Sequence, residues 1–253
     1  MESYATAQQV FAAGLIFTRV AAIVMLLPAF GETFIPPRVR LSFALALSLM
    51  LFPLIAARVP GLPGNAADLG GAVIKELLIG LMIGGILRLF MTSMATAGEI
   101  VSMATTLSFS QTANPMQAQP STSLGTLLGT MALVLIFATN LHHLFLGAIV
   151  NSFDLFPFTR DVPIADAGQL AVQTVGKSFA LGFQLAGPVV VFSLIFNVAT
   201  GLVGRVMPQF QVFFVASPLM IILGLSIFAL SLGTIGIVWL DHFRELIGNF
   251  VPV

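Results

Sequence analysis

The sequence predicts an all-α, membrane-associated protein built from helical hairpins, and three observations support this prediction. Hydrophobic residues make up 58% of the 253 residues and charged residues only 8%, whereas soluble domains contain about 25% charged residues. Six apolar blocks have lengths near the roughly 17–25 residues with which a helix crosses a bilayer. Short turns that contain proline separate these blocks, and proline starts or ends helices. No alternating pattern typical of strands competes with this prediction.

The blocks define six predicted helical segments in chain order. They are Val10–Phe30, Val39–Ile55, Ala72–Met94, Leu124–Val150, Ser178–Val203 and Val212–Leu240. Because proline removes one helical hydrogen bond, we predict that the fifth segment is interrupted and bent at Gly187 and Pro188. The N-terminal sequence MESYATAQQVF lacks the basic region of a signal peptide, and we expect the first segment to be retained.

Composition also argues against several classes of function. Ten Lys plus Arg balance ten Asp plus Glu, so no basic field favours nucleic acid as a partner. The chain has no cysteine, which removes disulfides, thiol nucleophiles and thiolate metal ligands. No nucleophile, base and orienting residue can be assembled from the sequence. We therefore predict a protein that is not an enzyme and that holds no cofactor and no metal.

Charged and polar residues inside the apolar blocks need partners. An unpaired Arg19 in the first block would cost about 2.5–3.5 kcal/mol on insertion scales, so we expect it to snorkel or to pair with a carboxylate on a neighbouring helix; a transport role is the alternative. Arg88 and Glu99 share one helix face but lie about 16 Å apart along it. Each therefore needs another partner, in this chain or in the next subunit. His142 and His143 point about 100° apart, which favours a polar interface or a buried hydrogen bond over proton chemistry.

Two glycine pairs indicate close helix packing. Gly80 and Gly84 form a GxxxG pair, which lets a second helix approach closely, with a glycine hinge as the alternative. Gly125 and Gly129 repeat the spacing in the fourth block.

The arginines give no orientation in a membrane. If all six blocks crossed in alternation, one side would hold Arg58, Arg160 and Arg244, and the other Arg38, Arg40 and Arg205. Topology normally follows an excess of Lys and Arg on one side. Equal numbers are also what we expect if neighbouring subunits, rather than lipid, place the hairpins.

An uncharged loop joins the third and fourth blocks. The stretch from Ser102 to Ser123 is rich in Ser, Thr, Gln and Asn and is broken by Pro115 and Pro120, and no charged residue occurs anywhere in Ile100–Phe153. A non-helical backbone among apolar segments must either line a water-filled space or pack inside protein. We predict a loop that faces a conduit.

Five motifs, in this order and spacing, resemble a known family. They are FTRVAAIVMLLPAFGETFIPPRVRLSFALAL, KELLIGLMIGGILRLF followed by AGEI, LSFSQTANP, LHHLFLGAIVNSFDLFP and GLVGRVMPQFQVFFVASPLMIILGL. Together they resemble the FliR family of flagellar export-gate proteins and its SctT counterparts in virulence type III secretion. The element from Arg205 to Gln209 and the downstream Pro218 are the most specific, and the PQFQVFF segment favours the flagellar branch.

The resemblance implies an architecture and a location. It implies one subunit of a helical export-gate complex with FliP-type and FliQ-type proteins, in the bacterial inner membrane at the flagellar basal body, raised toward the periplasmic side. Residues 1–123 would form an N-terminal half with FliP-like hairpins and a channel loop at about 102–123. Residues 124–253 would form C-terminal hairpins that end in a FliQ-like hairpin at about 168–253. The complex would form and close the conduit for unfolded export substrates.

The resemblance also implies site residues. The channel loop comprises Leu107, Ser108, Phe109, Ser110, Gln111, Thr112, Asn114, Pro115, Met116 and Gln117, with Phe109 and Met116 as apolar stoppers close to Met103. The candidates for subunit interfaces are Arg19, Arg38, Arg40, Lys75, Glu76, Gly80, Gly84, Arg88, Glu99, Arg205, Pro208 and Gln209. The family often has Asp where Asn114 stands and a second aromatic where Gln111 and Thr112 stand, which favours polar contacts in the seal.

Two alternative functions stay open at the level of sequence. A secondary transporter of a small solute would explain the internal charges and the Gly-Pro interruption, although no inverted repeat is evident. A static scaffold for assembly of the gate would differ from a gate only in that the loop does not move.

Overall fold

A computed structural model describes residues 7–108, 122–160, 164–207, 209, 211–248 and 250. These residues form seven α-helices and one short 3₁₀ turn, and no strand occurs among them. The helices are α1 (Ala7–Leu26), α2 (Pro37–Ile55), α3 (Ala66–Ala104), α4 (Ser123–Ala138), α5 (Leu141–Leu155), α6 (Ile164–Val206) and α7 (Val212–Gly248), and the 3₁₀ turn Ala56–Arg58 follows α2. The predicted all-α class is confirmed.

Several helices are long and apolar enough to cross a membrane. Within the described residues five helices meet this condition, α1, α2, α3, α6 and α7, and the number becomes six if the broken pair α4 and α5 counts as one span. The predicted membrane-associated class of about six apolar segments is confirmed in this form. Helices α3, α6 and α7 contain 39, 43 and 37 residues. They are longer than the predicted blocks, and longer than the roughly 20 residues that a bilayer requires.

The fourth predicted segment is broken, so the expectation of one continuous helix over Leu124–Val150 was wrong. Helix α4 ends at Ala138, and Asn140 adopts the left-handed conformation with φ 59°. Asparagine tolerates this conformation better than most residues. The backbone N–H of Asn140 then donates to the carbonyl of Phe137 at 3.2 Å, and α5 starts at Leu141.

At Gly187 and Pro188, where the sequence predicts an interruption with a bend, α6 continues through both residues as one helix, and the bend stays a prediction. A proline removes one hydrogen bond, and apolar helices with packed neighbours tolerate this loss. Pro53 in α2 and Pro218 in α7 are accommodated in the same way.

The chain divides into two units, each of which collects segments that are distant in sequence. Unit 1 consists of Met1–Phe90, Ile136–Val175 and Arg244–Val253, and unit 2 of Met91–Leu135 and Gly176–Phe243. The predicted division at residues 123 and 124 rests on resemblance to two kinds of subunit and stays a prediction.

The core of unit 1 includes the surface where α1 meets α3. Ile16 and Ile23 of α1 are fully buried. A Cβ added to Gly80 would lie 2.5 Å from the Cβ of Ala22, and one added to Gly84 would lie 2.9 Å from the Cβ of Leu26. The predicted close helix approach at this glycine pair is therefore confirmed, and the approaching helix is α1 of the same chain.

Unit 2 is held by close backbone approach and by a hydrogen bond from a buried tryptophan. A Cβ added to Gly182 of α6 would lie 2.8 Å from the carbonyl oxygen of Ser93, and one added to Gly224 of α7 would lie 2.5 Å from a methyl carbon of Thr105. The fully buried Trp239 donates its indole N–H to Ser93 Oγ at 3.1 Å. Helix α3 therefore supplies the surface on which α6 and α7 pack in this unit.

Candidate functional site

The segment predicted to form a channel loop follows the C-terminal end of α3, and hydrogen bonds fix this helix end. Thr105 is buried and its hydroxyl donates to the carbonyl of Val101 at 2.9 Å. Thr106 is left-handed with φ 61°, and the N–H of Ser108 donates to the carbonyl of Ser102 at 3.2 Å. The helix thus reaches Ala104, and the loop begins slightly later than the predicted Ser102.

Thr122 precedes α4 and contacts both α3 and α4. The backbone N–H of Thr122 donates to Glu99 Oε1 of α3 at 2.8 Å. The Thr122 hydroxyl accepts the N–H of Gly125 at 3.0 Å, as expected of a residue that caps the start of α4. We refer to Gly98, Glu99, Thr105, Thr122 and Gly125 as the loop base.

Two glycines allow the helices to cross at the loop base. A Cβ added to Gly98 would lie 2.4 Å from the carbonyl oxygen of Leu124 and 2.5 Å from the Cα of Gly125. These are backbone atoms and cannot move aside as a flexible side chain would. The predicted helix approach at Gly125 is confirmed, with α3 as the neighbour, whereas nothing lies within 4 Å of a Cβ added to Gly129.

Of the predicted loop residues, Leu107 and Ser108 are half-buried next to the loop base. The others, Phe109, Ser110, Gln111, Thr112, Asn114, Pro115, Met116 and Gln117, lie outside the described residues. Their role in a conduit stays a prediction.

A buried ion pair connects three segments of unit 1. Arg19 is 0% exposed, and its Nε donates to Glu76 Oε2 of α3 at 2.5 Å. Its two terminal nitrogens donate to the carbonyl oxygens of Ser152 at 2.7 Å and Phe156 at 2.8 Å. The expectation that Arg19 pairs with a carboxylate on a neighbouring helix is confirmed.

Aromatic rings and a lysine complete this network. The Arg19 guanidinium lies 4.4 Å from the ring centroid of Phe153 and 5.2 Å from that of Phe158, within the range of a cation–π contact. Lys75 Nζ donates to the carbonyl oxygen of Phe158 at 2.8 Å. Three of the predicted interface residues, Arg19, Glu76 and Lys75, are thus brought together by contacts inside the chain.

The corner between α1 and α2 brings two further arginines to one backbone oxygen. Arg40 and Arg88 are half-buried. A terminal nitrogen of Arg40 lies 3.4 Å from the carbonyl oxygen of Gly31, and one of Arg88 lies 3.3 Å from it. The sequence predicts that Arg88 and Glu99 each need a partner. The partner of Arg88 is the backbone carbonyl of Gly31, and the partner of Glu99 is the backbone N–H of Thr122.

The family is decided by comparison with known proteins. Residues 10–246 match the family described as bacterial export proteins, family 1. The chain belongs to this family. The resemblance predicted from the five motifs is confirmed.

Curated relatives of this export protein carry one name. The flagellar biosynthetic protein FliR of Caulobacter vibrioides is 60% identical over 250 residues, which cover 99% of this chain and 100% of the relative. The proteins of the same name from Aquifex aeolicus and Bacillus subtilis are each 30% identical, over 92% and 82% of this chain and 90% and 80% of their own lengths. Together with its long apolar helices, this similarity indicates an integral membrane protein of flagellar biosynthesis.

Three of the four remaining interface candidates of the export protein lie at the surface. Arg38 is exposed in the first turn of α2, and Arg205 is exposed in the last turn of α6. Gln209 is exposed as well, and Pro208 lies outside the described residues.

The adjacent histidines form an aromatic contact. The rings of His142 and His143 are 4.2 Å apart, and the ring of His142 is 5.4 Å from that of Phe137. His142 Nδ1 is buried and makes no hydrogen bond within the described structure. The hydrogen bond that the sequence suggested for this histidine is therefore not made at Nδ1.

Sequence reasoning missed two parts of this site. It did not join Glu99 to Thr122, and it did not bring Arg40 and Arg88 together. The threonine directly before the apolar fourth block was a usable signal for the first, because such residues cap helices. No sequence signal indicates that residues 40 and 88 share one carbonyl oxygen.

Proposed function

We propose that this protein is a subunit of the flagellar type III export gate in the bacterial inner membrane. With FliP-type and FliQ-type subunits it forms the wall of a conduit for unfolded export substrates, and the loop around residues 107–117 closes that conduit. The assembled gate is raised toward the periplasmic side. The protein performs no covalent chemistry in this role.

The observation that carries the proposal is the apolar surface of α6 and α7 in unit 2. Exposed apolar side chains extend along α6 from Phe179 to Val206, a distance of about 40 Å at 1.5 Å per residue. The hydrocarbon core of a bilayer is only about 30 Å thick. On α7, Phe214 is 78% and Leu230 86% exposed. An α6 that stood upright in a bilayer would therefore extend beyond the lipid, and other subunits of the export apparatus are the natural cover for the rest of this surface.

The loop base supports the second part of the proposal. Both ends of the loop are fixed in unit 2, through Ser108 at one end and through Thr122 at the other. The stretch between them is uncharged, so it would not retain positively or negatively charged substrates by electrostatic attraction. Phe109 and Met116 supply apolar groups, and methionine adapts to irregular gaps and yields to a passing chain.

A secondary transporter is supported less well. A buried ion pair such as Arg19 with Glu76 is a common mark of a transport site. Here, however, Arg19 already donates to a carboxylate and two carbonyl oxygens. Three of the five N–H donors of a guanidinium are therefore used within the chain, and the side chain is fully buried away from any solute.

Ion leakage through the assembled gate tests the proposal. Shortening the loop within residues 107–119 should raise the passive conductance of membranes that contain the intact complex, because the stopper is removed. Phe109→Ala should raise it less, and Ser110→Ala is the matched control that should leave it unchanged. Unchanged conductance in the shortened variant, with normal assembly, would reject the gate and favour a static scaffold.

Behaviour in isolation distinguishes the transporter. A gate subunit purified alone should aggregate in detergent and become monodisperse only with its partners. A stable, solute-binding monomer would contradict the proposal.

A further inference from the structure

Two cations at the α1–α2 corner of unit 1 share one neutral acceptor. The nearest nitrogens of Arg40 and Arg88 both point at the carbonyl oxygen of Gly31, at 3.4 and 3.3 Å. The two nitrogens are therefore at most 6.7 Å apart, the sum of these two distances. Both contacts are long for hydrogen bonds from a charged donor, which typically measure about 2.7–2.9 Å to an anionic acceptor.

No acid of the described chain neutralises this pair. The ion pairs among the described residues join Arg19 to Glu76 and Arg58 to Asp154. Glu32 follows Gly31 in the sequence. Within the described residues it forms no ion pair with Arg40 or Arg88. Arg40 Nε is buried and makes no hydrogen bond to any described residue. Within the described part of the chain, this half-buried pair of like charges therefore has one carbonyl oxygen between its members and no anion.

The start of α2 adds to the positive potential. The first turn of α2 contains no acidic residue, and Pro36 before it makes no side-chain capping bond. The N-terminal end of a helix carries a partial positive charge, which favours anions and disfavours cations. Arg40 lies in this turn and Arg38 next to it. An external anion would relieve both the helix end and the arginine pair.

The adjoining surface of α2 is shaped for a helix. Val39, Met50 and Leu54 are exposed and lie within about 100° of Arg40 on one side of α2, which forms an apolar ridge on which another helix can pack. At the corner itself, the ring of Phe30 stacks on that of Phe43 with centroids 5.2 Å apart. The surface thus offers an apolar helix ridge that ends at a cationic pair.

We infer that Arg40 and Arg88 bind the carboxylate of an aspartate or glutamate on an apolar helix of another export-gate subunit, which packs on the exposed ridge of α2. One carboxylate has two oxygens, each accepting at about 2.7–2.9 Å, and so serves both guanidinium groups across their separation. This inference rests on the proposed function, since it requires that another subunit covers α2.

The experiment uses the intact export complex, extracted in detergent through this subunit, with the other subunits quantified by mass spectrometry. Arg40→Gln combined with Arg88→Gln should lower the amount of partner subunit per copy of this chain by about tenfold or more, as expected when a buried charge pair at an interface loses one side. Arg40→Lys combined with Arg88→Lys keeps both charges but removes the planar, paired N–H donors of the guanidinium groups. This variant should give an intermediate loss of partner subunit. Arg160→Gln changes an exposed arginine of unit 1 that is not an interface candidate, and this control should retain the partners.

A second pair of variants distinguishes loss of the contact from misfolding of the chain. Arg88→Glu should abolish association, and a reversed charge at the partner's carboxylate should restore it, which a misfolded chain would not allow. The membrane content and melting temperature of each variant chain are measured in parallel.

Three results would overturn the inference. The double variant could retain its partners at the wild-type level. It could retain them while losing a bound phospholipid detected by native mass spectrometry, which would make the corner a lipid site. Glu32→Gln could reproduce the loss, which would make Glu32 the anion. If the wild-type chain itself captures no export subunits, the proposed function fails instead.

Discussion

In unit 1 a fully buried arginine connects α1, α3 and the end of α5, whereas unit 2 brings its helices together almost without charge. Unit 2 contains four charged residues, Glu99, Lys177, Arg205 and Asp241. Its helices approach through glycines that face backbone or side-chain atoms, with one indole hydrogen bond from Trp239. Unit 1 uses a glycine pair as well, but it adds an ion pair with both side chains at most 2% exposed.

This difference determines how each unit should respond to substitution. A buried charge that loses its partner is strongly destabilising, because the remaining charge stays out of water. A glycine at a backbone crossing responds to added volume and not to charge. Unit 1 should therefore be the more sensitive to loss of charge, and unit 2 to any side chain larger than hydrogen at its crossings.

The largest effect is expected at the ion pair of unit 1. Glu76→Gln removes the carboxylate and leaves Arg19 charged and buried, which should destabilise the protein by about 3–5 kcal/mol. Thermal unfolding of the detergent-extracted export complex that contains each variant measures the loss. Asp154→Asn breaks the exposed pair with Arg58 and serves as the control, with an expected change of less than about 1 kcal/mol. Similar losses in both variants would show that burial does not set the strength of these pairs.

An intermediate effect is expected at the helix crossing of unit 2. Gly98→Val places methyl groups against the backbone of Leu124 and Gly125, and overpacking of this kind costs about 1–3 kcal/mol or more. Gly129→Ala is the matched control, since its surroundings are open, and it should be neutral or stabilising by up to about 1 kcal/mol. Melting temperatures of both variants are compared in the same detergent. A tolerated valine would mean that α3 and α4 do not cross here.

The smallest effect on stability is expected at Glu99, and it should appear in the conductance of the gate. Glu99→Ala leaves the N–H of Thr122 without its acceptor, at a cost of about 1–3 kcal/mol, whereas Glu99→Gln keeps an oxygen acceptor and should cost less than half of that. Because Thr122 ends the loop, the alanine variant should leak ions more than the glutamine variant in membranes that contain the assembled gate. Equal leakage in the two variants would show that the contact of Glu99 with Thr122 plays no part in closing the conduit.

Some features of the fold followed from the sequence because they depend on local composition. The apolar blocks predicted helices, and the turns that contain proline predicted the breaks between them, such as the one before α2. Arg19 was expected to snorkel or to pair with a carboxylate, and it pairs with Glu76. The break at Asn140 and the continuity of α6 through Pro188 were not predicted. Asparagine and proline permit such features without requiring them, and packing of the surrounding residues selects the outcome.

The candidate site, like the fold, was predicted where it depends on local composition and was not predicted where it depends on packing. The uncharged loop and its flanking helices were evident from composition, whereas the contact of Glu99 with Thr122 was not, since residues 23 positions apart meet only after α3 and α4 cross. The convergence of Arg40 and Arg88 on Gly31 required the positions of α1, α2 and α3 together.

The sequence by itself determined the helical class, the apolar character, the membership of the export family and the need of each internal charge for a partner. These properties depend on composition and on short motifs, which are present in the chain before it folds. Only the tertiary structure decided which partner each charge has and which glycines are crossings. Those depend on distances between segments far apart in sequence, which hydrophobic periodicity leaves undetermined.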